Sequence, residues 1–172
     1  MADASGCSLT QYPADVLAQT ARPVEKIDSN IRRIVEKMFE IMVENKGIGL
    51  AGPQAGIPLR IFIISLDGKR ESLQVYINPT IKPSGPMEAI PEGCLSVPGV
   101  DAKIKRYKKC SVTATDIDGN EFTQEAEGLL SRALQHEYDH LQGRLIIDRM
   151  GQVAKIAARK TLKKLRTQAD KT

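Results

Sequence analysis

The sequence predicts an α+β fold in which short antiparallel strands pack around a central metal-binding helix, with a further helix at the C-terminus. Three observations predict it. Ile31, Ile34, Val35, Met38, Ile41 and Met42 recur at helical spacing near the start of the chain. From about residue 60 to 127 the chain is strand-rich, with apolar alternation broken by glycine, proline and asparagine. Residues 129–142 again read as a helix and carry both histidines of the chain. At 172 residues and 41% hydrophobic, with no repeat or low-complexity linker, residues 1–172 are expected to form a single domain around one core.

Each element has a local reason. Asp28 or Ser29 caps the first helix, and Gly47 is placed to stop it. A glycine-rich segment, Gly47 to Gly56, follows. It lacks the lysine and serine or threonine of a phosphate loop and comes after a helix, so it reads as backbone that a ligand approaches closely. Strands are expected at 60–65 and 73–78, then proline-rich connections from Pro79 to Pro91. Cys110, Val112 and Ala114 alternate inward, Asp118-Gly119-Asn120 turns the chain, and Phe122 and Ala126 lie on the returning strand. The second helix then runs from Leu129 to Gln142, with Gly143 ending it.

That helix holds the chemistry. His136-Glu137-Tyr138-Asp139-His140 sets two imidazoles four residues apart on one helical face, where both reach one ion. Glu137, about 100° round the helix, addresses a water on that ion as general base. A third ligand must come from elsewhere. No glutamate or histidine follows the motif, Asp139 is inside it and Asp148 lies beyond the helix, so an upstream thiolate is the natural candidate. Cys7 sits in a small-residue tail expected to be mobile, and Cys110 reads as a packed strand thiol. Cys94, on a segment held extended between Pro91 and Pro98, is the candidate.

Three segments in this order, GIGLAGPQ at 47–54, EGCLS at 92–96 and QHEYDHL at 135–141, resemble the three signatures of the peptide deformylase family. The likeness begins near Tyr12-Pro13 and runs to about residue 165. It implies a hydrolase that removes the formyl group from the N-terminal formylmethionine of nascent polypeptides, releasing formate. It also implies that main chain at Ile48 and Gly49 pairs strand-like with the substrate, and that the Gln54 amide and Leu95 N–H stabilise the oxyanion. Alone, Gln54 reads as a solvated loop glutamine. An apolar pocket for the methionine is assigned to Ile48, Ile90, Leu129 and Ala133, with Glu92 and Arg132 near its mouth. Each of these alone reads equally well as an ordinary core or surface residue.

A divalent ion held by Cys94, His136 and His140 keeps a fourth position for water and makes hydroxide available near neutrality. One cysteine and two histidines suit zinc on softness grounds. The resemblance implies iron(II) instead, with nickel or cobalt tolerated and zinc possible in preparations. Two positions depart from the family pattern. Gly52 stands where alanine is usual, a change expected to loosen the backbone beside Gln54. Asp101 stands where many bacterial members carry an arginine that contacts the peptide, which would leave Lys103 or Arg106 to supply positive charge if Asp101 faces water.

No signal-peptide or transit-peptide pattern is visible and no segment approaches ~18 apolar residues, so a cytoplasmic protein without membrane contact is expected. Residues 151–169 predict a basic amphipathic helix. Ala154, Ala158, Leu162, Leu165 and Ala169 share one face, and Lys155, Arg159, Lys160, Lys163, Lys164 and Arg166 occupy the rest, which suits docking on the ribosome. The net charge of +4 is only mildly basic, so a solvated helix is the plain alternative. Two other function classes share parts of the pattern. A metalloprotease lacks its downstream ligand here, and a non-catalytic metal module lacks a fourth closing ligand.

Overall fold

The computed structural model describes residues 3–171. Helix α1 (Ser29–Glu44) starts where the Asp28 carboxylate accepts the N–H groups of Asn30 and Ile31 at 2.9 and 3.1 Å. Its apolar stripe, Ile31, Ile34, Val35, Met38 and Met42, is buried, while Ile41 is only partly covered. The stop differs from expectation. Lys46, at φ 56°, takes the left-handed position, and the N–H of Gly47 donates to the Met42 carbonyl at 2.8 Å, closing a Schellman turn. Gly47 is needed for space, since a Cβ there would sit 2.8 Å from Leu95 Cδ1.

Five strands, β1 (Gly49–Ala51), β2 (Ile61–Ile64), β3 (Gln74–Glu92), β4 (Ala102–Thr115) and β5 (Glu121–Glu127), form one antiparallel sheet in sequential order. The α+β class and antiparallel pairing agree with the sequence reading, but β3 and β4 are not short. The proline-rich stretch from Pro79 to Pro91 is strand rather than connection. Register shifts between Ile77 and Thr80 and between Ser84 and Met87 absorb Pro79 and the Gly85-Pro86 pair. Past Ile77, β3 has β4 as its sole sheet neighbour among the described residues, so its other edge needs no ladder donors and tolerates proline.

Helices cover both faces of the sheet. Ile61 and Ile63 pack with α1, whereas Phe62 and Ile64 share a cluster with Cys110, Val112, Ala114 and Leu134. Burial on both sides explains why β2 reads as an unbroken apolar run. Leu134 belongs to α2 (Gly128–Leu141), which enters and leaves through left-handed glycines, Gly128 and Gly143. After the short α3 (Ile146–Arg149), helix α4 (Gln152–Ala169) packs Ala154, Ala158, Leu162 and Leu165 onto Val97, Val100 and Ile104. Ala169 stays exposed. Cys7 is half-buried against the α1 cluster rather than lying in a mobile tail. Among the described residues, no helix is long and apolar enough to cross a membrane.

Candidate active site

Three chain segments converge on one cleft of about 440 Å³. The edge strand β1 supplies one wall, the β3–β4 connection supplies Cys94, and α2 supplies both histidines and Glu137. Cys94 is not on extended chain as expected. Leu95 and Ser96 turn, and the Val97 N–H donates to the Cys94 carbonyl at 3.0 Å. This turn aims the thiol at α2. Cys94 Sγ lies 3.4 Å from His140 Nε2, which lies 3.2 Å from His136 Nε2, and the three ligand atoms all fall within 4.8 Å of one another.

The donor set fits a metal cation. The His136 Nδ1 is 3.1 Å from Glu92 Oε2, and an ionised carboxylate only accepts, so this partner places the proton on Nδ1 and aims Nε2 at the cluster. Burial raises Glu92, but hydrogen bonds from His136 and Arg106 outweigh it and hold the carboxyl at about 2. Burial, then the charges of His136 and Arg106, drive His140 well below its ordinary value, leaving the neutral imidazole that ligates. Burial also pushes His136 down, yet hydrogen bonds to Cys94 and Glu92 outweigh it and raise the group to about 10. A proton on His136 therefore competes with a cation, as expected where lone pairs are crowded together.

Glu137 is 4% exposed, and its Oε2 has no hydrogen-bond partner among the described residues. Glu137 lines the same cleft as Cys94 and His136, and an oxygen without a donor is free to accept a proton. Burial raises Glu137 to about 7, with the charges of His136 and Arg106 opposing. Its other oxygen packs on Gly49, where an added Cβ would be only 2.5 Å away. Gln54 is also placed by the backbone. Its Oε1 accepts the Ala51 N–H at 2.8 Å, so the amide NH₂ must face Cys94 Sγ, 3.5 Å away. The Leu95 N–H has no protein acceptor among the described residues.

The remaining sequence-predicted residues divide. Ile48, Gly49, Leu129 and Ala133 line the cleft, as do Glu92 and Arg132. Glu92 and Arg132 are not at an open mouth but in a buried ion-pair network, because Arg132 reaches Glu92 at 2.6 Å and the Ile104 and Glu88 carbonyls at 3.0 and 2.9 Å. Ile90 lines a neighbouring recess with Tyr107 and Glu127, separated from the cleft by the shared Leu129 and Arg132. Asp101 lines the cleft, its carboxylate over Gly93, where a Cβ would be 2.8 Å from Oδ1. Gly52 does not loosen its surroundings. The carbonyls of Leu59 and Ile57 lie 2.6 and 2.7 Å from where a methyl would be, so the absent side chain is replaced by packed backbone.

Sequence reasoning missed the residues behind the ligands. Arg106 is 3% exposed and donates from Nε and Nη2 to Glu92 at 2.7 and 2.9 Å and from Nη1 to Asp139 at 2.9 Å. It is therefore unavailable as a substrate-facing charge. The alternation Ala102, Ile104, Arg106 already places it on the inward face of β4, a signal that could have found it. Lys46, which also lines the cleft, had no such signal.

Residues 7–155 match the family described as polypeptide deformylase. Peptide deformylase 1 of Clostridium perfringens is 47% identical over 135 residues, spanning 78% of this chain and 90% of that protein. Peptide deformylase of Neisseria gonorrhoeae is 40% identical over 157 residues, 91% of this chain and 94% of that one. The crystal structure of peptide deformylase from Plasmodium falciparum has a TM-score of 0.93 at 38% identity, covering 96% of this chain and 98% of its own. With likeness of this extent in both sequence and backbone, the chain belongs to the peptide deformylase family, the metal-dependent hydrolases that remove the formyl group from N-terminal methionine.

Proposed function

We propose that Cys94, His136 and His140 hold iron(II), and that Glu137 moves the protons as the formyl group is cleaved from nascent N-formylmethionyl peptides. The observation that carries this reading is the bare, buried Oε2 of Glu137 in the cleft on which three ligand atoms converge. An ion bound there supplies Lewis acidity and a lowered pKa for water. Glu137 takes the water's proton and returns it to the departing amine, a cycle suited to a carboxyl held at about 7. Gln54 NH₂ and the Leu95 N–H donate to the developing oxyanion. Strand β1 is an edge of the sheet, so main chain at Ile48 and Gly49 is open to a peptide pairing alongside it. Leu129, Arg132 and Ala133 accept the methionine side chain, and Glu92 fixes that wall through His136 and Arg132.

Formate release from an N-formyl-Met tripeptide by anaerobically purified protein, with metal analysis of the same sample, tests the reading. Iron should track activity, and activity should decay in air while a nickel-loaded sample holds it. Air-stable turnover in zinc-only protein would exclude iron(II). Cleavage of internal, unformylated peptides without formate release would favour a protease.

The protein is further assigned to the cytoplasm, with α4 docking on the ribosome. Val153 and Ile156 are 82% and 67% exposed on this helix, beside the exposed Lys155, Arg159, Lys160, Lys163 and Lys164. Arg166 is partly engaged, stacking on Tyr12 and donating to its hydroxyl. Co-sedimentation with ribosomes should fall when the chain is cut after residue 150 and weaken with salt. Binding that survives the cut would remove α4 from this role.

A further inference from the structure

We propose that Arg149, which lies outside all three signature segments, is a positioning residue for the metal site, acting through Asp139 and Arg106 to keep Glu92 on His136. The proposal rests on the reading of Cys94, His136 and His140 as metal ligands. Arg149 grips Asp139 with one edge of its guanidinium: Nε donates to Oδ2 at 3.0 Å and Nη2 to Oδ1 at 2.5 Å. Asp139, which falls between the two histidines in the sequence of α2, is buried, and its Oδ2 also receives Nη1 of Arg106. Arg106 in turn forks onto Glu92, whose Oε2 meets His136 Nδ1 at 3.1 Å.

The chain of contacts is directional because each acceptor is shared. Oδ1 of Asp139 has Arg149 as its one side-chain donor among the described residues. Without Arg149 the carboxylate depends on Arg106 alone. It then either turns about its Cβ–Cγ bond or draws the guanidinium toward itself and off Glu92. Both movements loosen the Glu92 carboxylate that sets the tautomer and direction of His136. Arg132 still holds Glu92 at 2.6 Å, so the loss is partial rather than complete. Arg149 itself touches neither ligand nor cleft, and 41% of its side chain is exposed. Simple pinning of the corner between α2 and α3 is the competing account.

Cobalt-loaded full-length protein separates the two. For Arg149→Ala, cobalt release into excess chelator should accelerate about threefold to tenfold, below the range found on removing a ligand's direct partner. The visible cobalt bands should shift, and kcat should fall with KM unchanged. Arg149→Lys should recover most of both, and Arg149→Gln gives a milder variant if the alanine protein is poorly folded. Val35→Ala, a core change on α1 remote from the network, controls for lost stability. Wild-type release rates and bands in Arg149→Ala and Arg149→Gln would overturn the proposal. So would equal acceleration by Val35→Ala at matched melting temperature. Failure of the wild-type protein to take up cobalt would instead overturn the metal-site reading itself.

Discussion

Gly49→Ala should separate stability from catalysis at a position that carries no reacting group of its own. An alanine Cβ would stand 2.5 Å from Glu137 Oε1 and 3.0 Å from its Cδ and Cγ, while ordinary contact begins near 3.4 Å. The carboxylate must therefore retreat by about 1 Å. Backbone strain is not involved, because Gly49 is absent from the positive-φ glycines, and the obstructing atoms end a side chain that can rotate. Folding should lose no more than about 1 kcal/mol, whereas a 1 Å misplacement of a reacting group costs about 10²-fold in rate. The assay is kcat for formate release beside urea denaturation and metal content of the same preparations. Near-wild-type kcat would refute the placement of Glu137 against Gly49, and a loss of stability above about 3 kcal/mol would show that backbone rather than side chain had moved.

Glu137→Gln should keep metal and fold yet lose most turnover, and wild-type turnover should fall on the acid side as Glu137 takes its proton, below the value of about 7 it has without an ion, because a divalent cation nearby favours the carboxylate; a near-normal rate in the glutamine variant counts against its role. Gly52→Ala should destabilise by about 1–3 kcal/mol, because the methyl meets two backbone carbonyls, and an unchanged urea midpoint would contradict that packing. Glu92 is held at about 2 against an ordinary 4.5, so its contribution, about 3 kcal/mol, is present above 4.5 and lost as pH falls toward 2. The stability gap between wild type and Glu92→Gln should accordingly narrow over that window, and a constant gap would be inconsistent with it. Asp101→Arg should lower KM for short formylated peptides with a free carboxylate, with little change in kcat and less gain for amidated peptides; equal KM values across both would mean that the side chain does not meet the substrate.

Both helices that frame the sheet were legible, since α1 and α2 are amphipathic, Asp28 caps α1 and Gly143 ends α2, although the α1 stop falls on Lys46 rather than Gly47. The histidine pair was legible for the same reason, because residues four apart meet on any helix whatever surrounds it. Cys94 followed from the ligand count. Strand β3 past Ile77 was not legible, because proline argues against a strand unless one edge is free, and a free edge is a property of the whole sheet. The same holds for Gly52, whose missing methyl is explained by carbonyls five and seven residues on. Arg106 is marked inward by strand alternation, but its partners Asp139 and Arg149 come from two helices and look like ordinary surface charges in sequence. The sequence alone thus determined which atoms could bind and react, because local periodicity sets their mutual spacing. Only the tertiary structure decided what holds them, because a buried charge must find partners wherever the fold brings them.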